Sequence, residues 1–390
     1  MSDIKNHGGF DEKSDKEEEG TMKTIAFYLP QFHAIPENDK AWGEGFTEWT
    51  NVKKAVPIYK GQYQPRVPLN NNYYNLLDSE VMQQQAELAK KYNLYGFCYY
   101  HYYFKGGKKL LEKPLERMLN DKKINIPFCL SWANEPWTKR WDGGSSEVIV
   151  EQDYGVEDDW ERHFQYLLPF FVDERYIKDK DGRCIFVIYK PDEIPRCEEM
   201  LILWNKLAEE NGLKKIKFLV QFPTEDMVKG NISNLFEGTI EFEPAYTVMD
   251  MVGTRKKMIK FLIKNPIEGI KIIANKFKNQ IRHTTGWHYP YDLIVKYSLS
   301  RKTRSNTYPG AFTDWDNTAR RGKDAVYYKG SSPEKFKFYL EKRIEKNKQE
   351  YEKEFLFINA WNEWGEGAHL EPDERYKYQY LEALRDTIKN

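Results

Sequence analysis

The chain has 390 residues, 40% of them hydrophobic and 31% charged, with 60 basic side chains balancing 60 acidic ones. That length suits one large α/β barrel or two ordinary domains, and the even charge gives no electrostatic basis for a nucleic-acid partner. No apolar run reaches the ~18 residues of a membrane-spanning helix, whereas 11 Trp and 27 Tyr supply the flat faces that a neutral, sugar-like ligand needs.

In chain order, residues 1–21 are polar and acidic and lack the apolar segment of a secretory signal, so a disordered tail and a cytoplasmic location are expected. Residues 22–390 read as a single domain in which short apolar runs alternate with amphipathic stretches. Strands are predicted at Thr24–Leu29, Leu94–Tyr99, Ile126–Ser131, Cys184–Tyr189, Lys217–Gln221, Gly238–Phe242, Tyr308–Phe312 and Phe355–Asn359. Helices are predicted at Glu80–Tyr92, Leu111–Asn120, Asp158–Val172, Glu198–Asn211, Lys335–Glu350 and Glu374–Ile388. Eight parallel strands with crossovers make a (β/α)8 TIM-type barrel, here with long insertions after strands 1 and 6. Cys98, Cys129, Cys184 and Cys197 show no metal spacing and read as free thiols. The stretch 253–283 is basic and interleaved with apolar residues, a pattern of an ordinary barrel helix or of peripheral contact with an anionic membrane.

Barrel chemistry sits at the C-terminal ends of the strands, and polar or aromatic clusters follow most of these strands in turn. They supply the expected substrate-binding residues: His33, Trp42, Glu48 and Trp49 after strand 1; Tyr100 and His101 after strand 2; Trp132, Asn134, Glu135 and Trp137 after strand 3. Glu243 and Tyr246 follow strand 6, Asp316 and Asn317 follow strand 7, and Trp361, Asn362 and Trp364 follow strand 8.

The last cluster, Trp361-Asn-Glu-Trp-Gly-Glu-Gly367, also holds the expected catalytic pair, Glu363 and Glu366. Glycoside chemistry needs two carboxyl groups, one to donate a proton to the leaving oxygen and one to act on the sugar or on water. A three-residue step through a turn brings both to one side of a pocket, and proximity pushes one pKa up. Asn134-Glu135 resembles the Asn-Glu pair of several glycosidase groups, but it follows strand 3 rather than strand 4, so Glu135 is assigned to substrate binding. Asp314-Trp-Asp316 is a weak match to the D-x-D pattern of metal-dependent glycosyltransferases. Neither a Gly-rich phosphate loop nor a metal-ligand spacing is present, so no cofactor and no metal are expected.

The motifs Tyr28-Leu-Pro-Gln-Phe-His33, Trp42-Gly-Glu-Gly-Phe-Thr-Glu-Trp-Thr-Asn51, Trp132-Ala-Asn-Glu-Pro136 and Ala360-Trp-Asn-Glu-Trp-Gly-Glu-Gly367 resemble the WbsX glycosyltransferase family, itself similar to glycoside hydrolase family 99, the endo-α-mannosidases. The resemblance covers essentially all of residues 22–390. It implies a (β/α)8 barrel and retaining cleavage of an α-mannoside-like bond through a 1,2-anhydro sugar. In that scheme Glu363 takes the proton of the 2-hydroxyl and Glu366 protonates the leaving group; the hydrolases usually carry His where this chain has Gly365. Three activities follow as expectations: a glycosidase or transglycosidase in surface polysaccharide metabolism, a glycosyltransferase of O-antigen or capsule synthesis, or an inactive glycan-binding barrel. An oligosaccharide or polysaccharide is the expected partner in each.

Overall fold

The computed structural model describes residues 22–139, 147–223, 234–253, 255–264, 266 and 287–388. Nine parallel strand segments form its centre: β1 (Lys23–Tyr28), β2 (Gly96–Tyr103), β3 (Phe128–Trp132), β4 (Ile185–Ile188), β5 (Lys217–Val220), β6 (Phe236–Ile240), β7 (Thr307–Tyr308), β8 (Gly310–Phe312) and β9 (Phe355–Asn359). They pair in the order β7-β6-β5-β4-β3-β2-β1-β9-β8, which nearly closes an α/β barrel.

The seventh strand expected from the sequence is split. Pro309 has no N–H to give to a ladder, and the chain changes neighbour there: Thr307–Tyr308 pairs with Thr239–Ile240, and Gly310–Phe312 pairs with Phe357–Asn359. A Cβ on Gly310 would lie 1.8 Å from the Glu241 carbonyl, so only glycine permits this approach of β8 to the end of β6.

β2 runs four residues further than expected and is buried throughout. Residues 100–103 therefore obey the two-residue alternation of a strand. Tyr100 joins Phe27, Phe242 and Phe357 in an aromatic cluster, with ring centroids 5.1 to 5.8 Å from Phe27. His101 lies on the opposite face, against the helix Glu157–Phe171.

The surrounding helices follow their sequence signals. Asp78 caps Ser79–Lys91 by accepting from Glu80 N (3.0 Å), and Met82, Gln85, Ala86 and Ala89 bury one face of it. Ser332 caps Pro333–Lys346, where Pro333 fills the first helical position. The final helix begins at Gln379 rather than Glu374, because Asp373 Oδ1 accepts from Tyr376 N (2.6 Å) and holds the preceding residues in a turn. The tail 1–21 and most of the basic stretch 253–283 lie outside the described residues. Among the described residues no helix is long and apolar enough to cross a membrane.

Candidate active site

Beyond β9 the chain turns back on itself: Asn362–Glu363 pairs antiparallel with Ala368–His369, and Trp364–Glu366 forms one helical turn between them. Asn362 clamps this hairpin to the end of β1, accepting from Leu29 N (2.7 Å) and donating to Leu29 O (3.0 Å). On its other side Glu371 accepts from Trp364 Nε1 (2.6 Å), Gln85 Nε2 (2.7 Å) and Tyr74 OH (2.8 Å). Burial pushes the Glu371 carboxyl up to about 7, against the pull of these donors. Glu363 and Glu366 thus ride on an element held at both flanks, which fixes their geometry.

Both carboxylates converge on Arg320. Its Nη2 donates to Glu363 Oε2 (2.8 Å), its Nη1 to Glu366 Oε1 (2.7 Å) and its Nε to Glu48 Oε1 (2.8 Å). The Glu363 side chain is 6% exposed and that of Glu366 21%, so Glu366 stands nearer to solvent. Burial pushes Glu363 up to about 8; the Arg320 cation opposes this, and negative charge on Glu366 and Glu48 adds to it. Glu366 is raised too, again by burial first and against Arg320. Two carboxyls so placed titrate as a pair, and partial desolvation favours a shared proton.

Other strand ends face the pair. Tyr100 and Tyr102 are raised well above the usual phenol value by burial, with Glu363 adding to both. Gln221 at the end of β5 donates to Tyr100 OH (2.8 Å) and accepts from Ser131 Oγ (2.7 Å). Tyr189, just past β4, is raised by burial and then by Glu135, Glu366 and Glu363, which places Glu135 at the same mouth. Glu135 is ion-paired with Lys190. Gln31 Oε1 and Thr313 Oγ1 are buried without a hydrogen-bond partner among the described residues, and the buried His33 ring lies against the Pro30 carbonyl. Burial pushes His33 down to about 4, against a smaller opposing effect of the Pro30 carbonyl, so its ring is neutral at physiological pH.

The sequence profile of glycosyltransferase WbsX matches residues 24–384. This chain belongs to the WbsX family. It is 34% identical over 367 residues to the uncharacterized protein WxcX of Xanthomonas campestris pv. campestris strain B100, and 33% identical over 366 residues to WxcX of strain ATCC 33913. In each case 93% of this chain is covered but 49% of the relative, so the chain spans about half the length of the relatives it matches. Among solved structures it is similar to the GH99 endo-α-mannosidase of Bacteroides thetaiotaomicron, with a TM-score of 0.51 and 13% identity over 94% of this chain and 96% of that one. A glycoside hydrolase-like protein matches with a TM-score of 0.56 and 10% identity, covering 94% of each chain. At such identities the likeness is one of fold, a TIM-type barrel.

Of the WbsX-family residues singled out in the sequence, the structure brings Glu48, Tyr100, Glu363 and Glu366 together and sets Glu135 nearby. Several others it turns elsewhere. His101 Nε2 lies 2.8 Å from His163 Nε2 behind the barrel wall, and burial pushes His101 down to about 3. Glu243, three residues past the end of β6, also faces away: it accepts from Thr247 Oγ1 (2.8 Å), Arg301 Nη2 (2.8 Å) and Ser298 Oγ (3.1 Å) in a sealed network with Glu241 and Arg343. Tyr246 accepts from Arg304 Nη1 (2.7 Å) beside it.

The indoles are mostly covered rather than open to a sugar face. Trp361 packs on Phe97, Trp364 stacks on His369 at 3.8 Å, Trp49 packs on Phe32 and Trp364, and Trp132 packs on His163. Trp137 donates to Asn38 Oδ1 (2.9 Å) and is equally buried. Trp42 alone of the six is half-exposed, stacked on Phe46. Asn134 ties the loop after β3 to the loop after β4 through Lys190 N (2.8 Å) and Lys190 O (2.7 Å).

Asp314 pairs with Arg66. Asp316 accepts from Thr318 N (3.0 Å) and Gln62 Nε2 (2.9 Å), and Asn317 accepts from Val326 N (2.7 Å). Protein donors therefore occupy both acids of the D-x-D match, and no cluster of three or more metal-ligating side chains exists among the described residues. The sequence reading missed Arg320, Tyr102, Tyr189, Gln221 and Glu371. Arg320 lies six residues past Asp314 in the segment after the seventh strand, and an arginine at a barrel mouth rich in carboxylates is the one signal that pointed to it.

Proposed function

We propose that this WbsX-family chain is a retaining glycosidase or transglycosidase acting on an α-linked, mannoside-like glycan in surface polysaccharide metabolism. The observation that carries the reading is the pair Glu363 and Glu366, held by one guanidinium at the C-terminal end of the barrel with both proton affinities raised. The pair carries one proton between its two carboxyls; in the reactive arrangement that proton sits on Glu366 and Glu363 is ionised. The ionised Glu363 takes the proton of the sugar 2-hydroxyl, O2 closes on the anomeric carbon, and Glu366 gives its proton to the departing glycosidic oxygen. Water or an acceptor hydroxyl then opens the 1,2-anhydro ring with Glu366 as base and Glu363 returning the proton to O2, so two inversions give net retention. A raised proton affinity makes the ionised Glu363 a stronger base than an ordinary carboxylate. Tyr100, Gln31, His33 and Thr313 are the groups on hand for sugar hydroxyls.

The second reading, transfer from a nucleotide sugar, draws on the family description. Against it, the buried cation at this mouth is engaged by three carboxylates and Lys190 by Glu135 and Glu193. The test is incubation of wild type, Glu363→Gln and Glu366→Gln with α-mannosides and related oligosaccharides, following anomeric configuration by NMR. The proposal expects an α-configured product from wild type and loss of turnover in both folded variants. No cleavage or transfer, together with calorimetric binding of a nucleoside diphosphate sugar, establishes the transferase reading; glycan binding without turnover establishes a binding barrel.

A further inference from the structure

Arg320 is placed by a dedicated set of contacts. It sits on the short helix Thr318–Arg321, whose start is fixed by Asp316 Oδ1 accepting from Thr318 N (3.0 Å) and Thr318 Oγ1 (2.5 Å). Gln62 Nε2 braces the same turn, donating to Asp316 Oδ2 (2.9 Å) and Thr318 Oγ1 (2.8 Å). Asp316 N in turn donates to Glu366 O (2.6 Å), so the Arg320 segment is fastened to the carboxylate hairpin through the backbone as well. The guanidinium is planar and keeps its charge at any working pH, and its fork spreads three nitrogens onto three separate carboxylates.

Glu48 reaches this cation from the insertion after β1, and Gly365 makes the room. A Cβ on residue 365 would fall 1.7 Å from Glu48 Oε1 and 2.8 Å from Arg320 Nε. Any side chain there displaces the Glu48 carboxylate, so the glycine between the two acids and the third acid form one device. The other groups electrostatically coupled to the pair are Tyr100 and Tyr102 on β2, Tyr189 after β4, and Arg321 on the Arg320 helix. Burial raises both acids against the pull of this cation, and negative charge on Glu48 adds to the rise. With Glu48 drawing on the same charge, three negative groups meet one positive one in a buried site, an arrangement that favours retention of a proton.

We propose that Arg320 is the positioning residue that orients both acids, and that Glu48, seated in the space that Gly365 leaves open, offsets its charge so that one proton stays shared between them. The role assigned to the proton rests on the reading of Glu363 and Glu366 as the acid and base; the geometry and the titration do not. The two partners act in opposite directions: Arg320 favours loss of the proton and Glu48 favours its retention.

The experiment is a carboxyl titration of the full chain carrying 13C-labelled glutamate, with no substrate present, on wild type, Glu48→Gln, Arg320→Lys, Arg320→Gln and Gly365→Ala, each checked for folding by its melting transition. Glu48→Gln and Gly365→Ala are expected to move the Glu363 midpoint down by roughly one pH unit, Arg320→Gln to move it up by a similar amount, and Arg320→Lys to fall between wild type and Arg320→Gln. If the Arg320→Gln chain does not fold, the two downward shifts still decide the matter. Midpoints unmoved, or moved in the same direction by Glu48→Gln and Arg320→Gln, overturn the proposal. Because the titration needs no glycan, a chain inactive on every sugar refutes the glycosidase reading while leaving this result standing.

Discussion

The raised proton affinity of Glu363 has a consequence for folding that Glu363→Gln exposes. In the unfolded chain the carboxyl loses its proton near the usual 4.5, whereas burial in the folded protein holds it to about 8. Between those values the native state binds more protons than the unfolded one, so stability falls as pH rises through this window, and the whole penalty is present above about 8. Each factor of ten in proton affinity is worth about 1.36 kcal/mol, which bounds the penalty at ~5 kcal/mol; sharing of the proton with Glu366 brings it to about 2–3 kcal/mol. Glutamine has the same shape, keeps an oxygen for Arg320 Nη2, and carries no charge to desolvate. Urea unfolding of wild type and Glu363→Gln between pH 5 and pH 9 measures the effect. The variant is expected to match wild type near pH 5 and to exceed it by about 2 kcal/mol at pH 9. Stabilities that fall in parallel across the range would refute the account of a buried, reluctantly ionised acid.

The pH dependence of turnover is expected to be a bell whose alkaline limb lies near pH 8, where the pair loses its last proton; a limb near 5 contradicts the assignment. Arg343→Met leaves the buried Glu241 and Glu243 to share Arg301 and should cost about 3–5 kcal/mol in denaturant unfolding, whereas an unchanged transition removes the network from the fold's support. His101→Asn unpairs His163 and should lower stability by about 1–3 kcal/mol while leaving KM for any glycan unchanged; a raised KM returns His101 to the mouth. A chain beginning at Met22 is expected to melt with the full chain, and a clear drop in Tm shows that residues 1–21 contribute to the fold.

Much of this protein was legible in the chain. Apolar runs separated by amphipathic stretches specify parallel strands and outer helices because each must bury a face, and the seven residues from Trp361 to Gly367 keep Glu363 and Glu366 adjacent through local geometry alone. What the sequence left undecided were matters of side and of distant partners. Lengthening β2 from Tyr99 to Tyr103 sends His101 outward and Tyr100 inward, since one residue in a strand reverses the face; past the end of β6 the chain turns and Glu243 goes out to Arg301 and Arg343. Pro309 divides the seventh strand only because both neighbours stand close enough to take half each. The meeting of Arg320 with Glu48, 272 positions away, has no local signature, and it exists because barrel closure brings the first insertion and the last two strand ends to one mouth. Local pattern follows from the periodicity of helices and strands, whereas the choice of partner for a buried charge follows from which strand ends the closed sheet sets side by side.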